Sequence, residues 1–253
     1  MTGHPSSVTA RAPIRLPGAD QVPDPRLVGH RARHPRRDRP VVLDAVKSGL
    51  PPRLETRDGI LLEYVLDQPE GAIGSVVLCH PHPQHGGTMR APIVGAIAKR
   101  CVLAGLAVIR FNFRGIGEST GAYDHGDGEL LDIDAAVEAA GALDPPVRGI
   151  SGWSFGAATA LNWEATRGSR LTYVGIAPPV RGTLTPSLPD PVDLLPAERT
   201  FIVGDRDQFV DANELEDYAV SIGAAIIRYE TADHFFVFRH DRLADDVVGA
   251  VLG

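Results

Sequence analysis

From about residue 53 onwards, short apolar runs alternate with longer segments in which apolar residues recur every three or four positions. The short runs are rich in β-branched and other residues that favour extended backbone. They predict seven strands, over residues 60–66, 75–79, 107–113, 147–151, 171–176, 200–203 and 225–229.

The segments between these runs have the spacing of amphipathic helices. One of them also carries a start signal, because Asp211 is followed three positions later by Glu214, which is typical of a helix cap. Five helical faces are predicted, on Ile93, Ile97 and Cys101, on Leu130, Ile133 and Val137, on residues 157–163, on Leu215, Tyr218, Ala219 and Ile222, and on Leu243, Val247 and Val251.

Strands that alternate with helices form right-handed βαβ units. We therefore predict an α/β fold, a mostly parallel, doubly wound sheet with helices on both faces. Ligands bind beyond the carboxyl ends of the strands in such sheets, so reactive residues are expected directly after strands. No internal repeat and no second domain is visible in the sequence, and residues 53–253 are predicted to form one domain.

The first 40 residues differ from the rest in composition. They hold eight arginines, three aspartates and seven prolines, and proline blocks helix interiors. Such a segment buries too little apolar surface to offset its ordering entropy. We therefore predict that residues 1–52 are a disordered extension. Contact of the arginines with an acidic partner, a targeting tail and a start codon placed too early are alternative interpretations.

Charge and cysteine content narrow the class of protein. The formal net charge of −7 disfavours a nucleic-acid binder, because phosphate binding needs clustered lysine and arginine. Cys79 and Cys101 both lie in apolar stretches and are interpreted as reduced core residues, so a cytoplasmic location is expected. Neither a membrane-spanning run nor a secretory signal is visible, so no membrane partner is expected. The oligomeric state is left open.

Residues 152–156 read Gly-Trp-Ser-Phe-Gly, a G-x-S-x-G pattern, at the point where a predicted strand ends and a predicted helix begins. In that context the pattern indicates a sharp, strained turn that presents a nucleophilic serine. Small residues at Gly152 and Gly156 let the strand and the helix pass closely. The free N–H groups of the helix start point at the serine. Ser154 is therefore the predicted nucleophile.

A serine hydroxyl needs a base to take its proton, and the base needs an acid to orient it. In this type of fold the acid and then the histidine follow the serine along the chain. Asp205 and Asp207 follow the strand at 200–203, and His234 follows the strand at 225–229. We predict His234 as the base. The order of residues leaves both aspartates open as the acid.

Six segments, taken in order, extend this pattern, and they are residues 79–89, 110–119, 128–132, 152–156, 204–207 and 233–236. Together they resemble the small, lidless α/β-hydrolases related to dienelactone hydrolase, a carboxylesterase-like group. The resemblance covers roughly residues 55–253, and relatives often carry an asparagine soon after the segment 79–89, where this sequence has Arg90-Ala91-Pro92.

The resemblance implies an α/β-hydrolase fold and assigns roles to further residues. It favours Asp207 over Asp205 as the acid, and Asp205 is then expected to hold its loop through backbone hydrogen bonds. It implies that the backbone N–H groups of His82 and Phe155 bind the oxyanion. The candidate walls of the pocket are Met89, Trp153, Phe155 and Phe235.

The resemblance also bears on the substrate. The stretch between residues 176 and 201, where relatives insert a lid, is short and rich in proline, so no cap domain is expected. An open site favours a carboxylesterase that acts on small soluble esters through an acyl-enzyme, without metal or organic cofactor. A thioesterase, a lactonase and a small peptidase are alternatives, since one triad serves all of these reactions.

Two rival interpretations come from other classes of protein. His80, His82 and His85 lie within six residues, and three imidazoles at such spacing resemble the zinc motif of metallo-β-lactamase-like hydrolases. Gln84 stands where that motif has an aspartate, and the metal interpretation leaves Ser154 and His234 unexplained. A non-catalytic interaction protein on the same scaffold is the third class.

Overall fold

The computed structural model describes residues 49–253 of the chain. The extension predicted over residues 1–52 lies almost entirely outside the described residues, as do the alternative interpretations of its arginines. None of the helices within 49–253 combines the length and the apolar character that crossing a bilayer requires.

Seven strands form the main sheet, in the order β3-β5-β4-β6-β7-β8-β9. β3 runs antiparallel to β5, and all other neighbours are parallel. β1 and β2 form a separate two-stranded antiparallel sheet. The strands are β1 Leu54–Glu55, β2 Leu61–Leu62, β3 Tyr64–Asp67, β4 Gly74–Cys79, β5 Leu106–Phe111, β6 Val147–Trp153, β7 Thr172–Ile176, β8 Arg199–Gly204 and β9 Ala225–Tyr229.

Residues 49–253 contain five α-helices, four of which lie between strands while the fifth follows β9. α1 packs against α5, α2 packs against α3, and α4 contacts β8 and β9. All six residues of β4 are buried, and since successive side chains of a strand point to opposite faces, both faces of the sheet are covered there. The predicted doubly wound, mostly parallel sheet is confirmed. The helices are α1 Pro92–Leu103, α2 Glu129–Gly141, α3 Phe155–Arg167, α4 Ala212–Ser221 and α5 His240–Leu252.

The start of α4 confirms the predicted cap. Asp211 Oδ1 accepts hydrogen bonds from the backbone N–H groups of Asn213 at 2.8 Å and Glu214 at 3.2 Å. These bonds satisfy two of the donors that a helix start leaves without an internal partner.

The prediction of one continuous strand over 60–66 is wrong, because Glu63 separates β2 from β3. The Glu63 N–H donates to Ser119 Oγ at 2.9 Å, and its carbonyl accepts from the Asn112 N–H at 2.9 Å. β5 also ends earlier than predicted, at Phe111, since the next two N–H groups bond to Glu63 and to the ring of His80. One N–H group on each segment, that of Glu63 and that of Phe113, therefore donates to a side chain instead of to a neighbouring strand.

Residues 177–198 connect β7 to β8. Their regular structure is one short 3-10 turn over Pro191–Asp193, which confirms the prediction of a fold without a cap domain.

Glu164 on α3 forms a buried ion pair with Arg199 on β8, at 3.0 Å between Oε2 and Nε. Glu164 Oε1 is buried and has no hydrogen-bond partner among residues 49–253. Burial raises the pKa of the Glu164 carboxyl from 4.5 to about 7, although Arg199 opposes the shift. Glu164 therefore holds its proton more tightly in the folded protein than in the unfolded chain.

We expect Glu164→Gln to remove a pH-dependent part of the free energy of unfolding. The raised pKa stabilises the native state below about pH 4.5, and this contribution is lost as the pH rises through about 7. The wild-type free energy, measured relative to Glu164→Gln by urea unfolding, should fall by on the order of 1–3 kcal/mol between about pH 4.5 and about pH 7.

Asp134 provides the matched control for this measurement. Burial raises its pKa, but hydrogen bonds from Arg167 and Trp163 outweigh burial, and the net pKa is lowered. Its contribution is lost only as the pH falls through the acid range. Asp134→Asn should therefore lower the free energy of unfolding by the same amount at pH 5.5 and pH 7. If the loss changed with pH in the same way for both variants, the assignment to Glu164 would be contradicted.

Candidate active site

Ser154 lies in a strained turn between β6 and α3. Its backbone angles are φ 54° and ψ −116°, a conformation that is uncommon for residues other than glycine. The Ser154 N–H donates to the carbonyl of Ile176 at 2.7 Å, and its own carbonyl accepts from the Ala158 N–H at 3.0 Å. Neighbouring strand and helix thus hold the serine in this conformation.

Both glycines of the pattern are needed for this close packing. A Cβ atom at Gly152 would overlap the backbone of Gly156 and Ala157 in the first turn of α3. A Cβ atom at Gly156 would overlap the backbone carbonyls of Cys79 and His80 at the end of β4. The turn therefore brings three segments together, namely the end of β6, the start of α3 and the loop after β4.

His234 lies in the loop after β9 and contacts Asp207. The two side chains are 2.7 Å apart, between Nδ1 and Oδ2, and both are almost completely buried. The indole Nε1 of Trp153 donates to the backbone carbonyl of His234 at 3.2 Å. The ring of Phe209 packs edge-on against the imidazole, with centroids 4.9 Å apart. The imidazole is thus fixed from several sides, with Nδ1 engaged by the carboxylate.

Asp207 organises the loop after β8 around its carboxylate. Oδ1 accepts hydrogen bonds from the backbone N–H groups of Phe209 at 2.8 Å and Val210 at 2.9 Å. Oδ2 remains for His234. Asp205 points elsewhere, and its carboxylate accepts from Arg228 Nε at 2.8 Å in an exposed ion pair.

The loop after β4 is braced by the ring of His80. Nδ1 lies 2.6 Å from the carbonyl of Pro81, and Nε2 accepts from the Phe113 N–H at 3.0 Å. Burial lowers the pKa of His80 to about 4, so the ring is neutral at physiological pH. The carbonyl of His82 accepts from the N–H groups of His85 and Gly87 and closes the next turn.

Two backbone N–H groups near the serine turn lack partners among the described residues. Within residues 49–253, neither the His82 N–H nor the Phe155 N–H donates a hydrogen bond. Phe155 is the first residue of α3, where an N–H has no partner inside the helix. Such free donors are the groups that an oxyanion hole requires.

The three histidines of the loop do not have the geometry of a metal site. Both ring nitrogens of His80 are engaged by backbone groups. His82 Nδ1 accepts from the Gln84 N–H, and Nε2 lies 2.8 Å from the carbonyl of Leu184. The ring of His85 stacks on that of His82 at 4.3 Å between centroids. In residues 49–253 no group of three or more metal-ligating side chains is suitably arranged.

Ser154 and His234 open on one cavity of about 470 Å³. Of the predicted walls, Trp153 and Phe235 line this cavity. Met89 does not, because its side chain is fully buried and its backbone is held by the side chains of Asn112 and Arg110. Phe155 does not line the cavity either, because its ring is fully buried in the core.

Sequence reasoning missed one wall of this cavity. Residues 179–185 of the connection between β7 and β8 close it on one side, and Phe209 borders it near His234. Phe209 was detectable as the second residue after Asp207 in a loop that follows a strand. The connection carries no local signal, because it is positioned by contacts such as that between His82 and the Leu184 carbonyl.

Both the sequence and the fold have relatives among known proteins, although no protein-family model matches the sequence. An uncharacterised protein of Rickettsia prowazekii is 31% identical over 186 residues, which cover 66% of this chain and 74% of that protein. An α/β serine hydrolase homologue from Coxiella burnetii is 29% identical with a TM-score of 0.68, over 78% of this chain and 94% of that one. An α/β serine hydrolase without a lid from Xanthomonas campestris is 31% identical with a TM-score of 0.65, over 79% of this chain and 89% of that one. The chain therefore belongs to the lidless α/β-hydrolase superfamily.

Proposed function

We propose that this protein is a serine hydrolase that cleaves ester bonds, with Ser154 as nucleophile, His234 as base and Asp207 as the acid. The observation that carries the proposal is the 2.7 Å contact between Asp207 Oδ2 and His234 Nδ1, beside a strained serine that opens on the same cavity as the imidazole. The similarity to α/β serine hydrolases supports the hydrolase class.

The proposed reaction is a two-step acyl transfer. With Nδ1 bonded to Asp207, the other ring nitrogen of His234 takes the proton of the Ser154 hydroxyl as Oγ attacks the ester carbonyl. The negative charge on the carbonyl oxygen is stabilised by the backbone N–H groups of His82 and Phe155. His234 then gives its proton to the leaving alcohol, which departs as the acyl-enzyme forms.

The second step regenerates the enzyme. A water molecule gives a proton to His234 and attacks the acyl carbonyl, and the same two N–H groups stabilise the second oxyanion. Ser154 Oγ leaves with the proton from His234, and the carboxylic acid is released. The connection 177–198 forms one wall of the cavity and no cap over it, which supports access for substrates without movement of a lid.

We expect Ser154→Ala to lower kcat for p-nitrophenyl butyrate by about 10³-fold or more, because the acyl-enzyme cannot form. The wild-type activity should be insensitive to a chelator such as EDTA. The wild type and Ser154→Ala are assayed in matched preparations, with and without chelator. Circular dichroism verifies that Ser154→Ala is folded.

Activity that survives Ser154→Ala and disappears with chelator would overturn the serine mechanism. It would favour the histidines of the loop after β4 as metal ligands. Thioester, lactone and amide analogues of the same acyl group, compared by kcat/KM, test whether the ester is the preferred substrate.

The two aspartates of the loop after β8 offer a matched pair of variants. Asp207→Asn should lower kcat by about 10³–10⁴-fold, because an amide donates to Nδ1 and imposes the wrong tautomer on His234. Asp205→Asn removes only an exposed ion pair with Arg228 and should leave kcat within about threefold of wild type. Equal losses in the two variants would contradict the proposed role of Asp207.

A further inference from the structure

A second cavity lies beside the first and shares part of its wall. It measures about 600 Å³ and is bounded by the start of α1, by Trp153 and Phe235, and by residues 237–241. Pro92, Trp153 and Phe235 also line the cavity that contains the proposed nucleophile and base. The rings of Trp153 and Phe235 meet edge to face, with centroids 6.0 Å apart. The two cavities are therefore neighbours, with these side chains as their common wall.

The residues directly after His234 expose apolar side chains at the rim of this second cavity. Phe238 is 98% exposed, Val237 is 50% exposed and Phe235 is 44% exposed. Exposed apolar residues are ordinary when scattered, but a contiguous group next to a cavity is typical of a binding surface.

Hydrogen bonds and strained backbone hold these side chains in place. Asp233 Oδ1 accepts from the N–H groups of Phe235 at 3.2 Å and Val237 at 3.4 Å. Phe236 and Phe238 have φ of 49° and 61°, which is rare for bulky residues and costs conformational free energy. This conformation leaves Phe236 fully buried and Phe238 outside. The exposed rings therefore belong to a defined turn.

We infer that the second cavity, the apolar subsite formed by Pro92, Ile93, Trp153, Phe235, Val237 and Phe238, binds an uncharged alkyl or aryl arm of the ester substrate. The inference rests on the proposed ester hydrolysis and names its substrate class, which is esters with an apolar arm of several carbons. Asp241 lies on the same wall, and its negative charge disfavours an arm that ends in a carboxylate.

Two series of substrates test the subsite and distinguish the side of the ester on which the arm lies. The acyl series runs from p-nitrophenyl acetate to the octanoate, and the alcohol series from methyl acetate to octyl acetate. Each fully buried methylene favours binding roughly fourfold, so kcat/KM should rise by about tenfold or more along one series even in an open cavity.

Phe238→Asn should reduce the rise in kcat/KM along that series several-fold, because it removes the apolar ring. Asparagine tolerates the positive φ at this position. Leu103→Asn is the matched control. Leu103 is 65% exposed at the far end of α1 from the cavity, and its replacement should leave the gain unchanged.

A binding measurement tests the subsite without turnover. In Ser154→Ala protein, 8-bromo-1-octanol should quench tryptophan fluorescence saturably, because its bromine reaches Trp153. The other tryptophan, Trp163, is buried and donates to Asp134. The quenching should disappear in a Ser154→Ala, Trp153→Phe double variant and should weaken several-fold when Phe238→Asn is added to Ser154→Ala.

The outcomes separate the two proposals. Ester hydrolysis that depends on Ser154 but shows no gain along either series would overturn the subsite and leave the hydrolase proposal standing. Saturable quenching that depends on Phe238, in a protein that hydrolyses no ester, would support the subsite and overturn the proposed function. A lack of saturable quenching would overturn the subsite. Quenching that disappears at higher protein concentration, as the protein self-associates, would also overturn it, because the apolar surface would then be covered by a second copy of the chain.

Discussion

The contact between Gly156 and the carbonyl groups at the end of β4 is the constraint on which the rest of the site depends. It lets the first turn of α3 lie directly on the loop that carries His82. The strained serine, the free N–H of Phe155 and the free N–H of His82 are then gathered in one small region. Any side chain at position 156 would separate the two segments and move His82 away from the start of α3.

The other half of the site is built independently, at the ends of β8 and β9. Parallel neighbours end at the same edge of the sheet, so an acid after one strand and a histidine after the next lie close together. Backbone donors from Phe209 and Val210 fix the Asp207 carboxylate, and the carboxylate fixes the imidazole. The indole of Trp153, which reaches the carbonyl of His234, joins this half to the serine turn.

Much of this arrangement was predictable because it depends on patterns within short stretches of the sequence. Alternating apolar runs indicated the order of strands and helices, and the glycines around Ser154 indicated the sharp turn. The choice between Asp205 and Asp207 was not predictable from spacing, since it depends on which carboxylate turns inward and which meets Arg228. The break in the strand at Glu63 and the burial of Met89 were also missed, because both result from contacts with residues distant in the sequence.

Trp153 has a consequence for how this protein can change over evolution. One face of the residue borders both cavities, while its indole nitrogen holds the loop of His234. A substitution that reshapes the pocket at this position also removes a contact that holds the proposed base, His234, so selectivity and rate are coupled there. Residues 179–185 border the same pocket and contribute no member of the proposed triad. A change of substrate range is therefore expected to disturb the rest of the site less in that connection than at position 153.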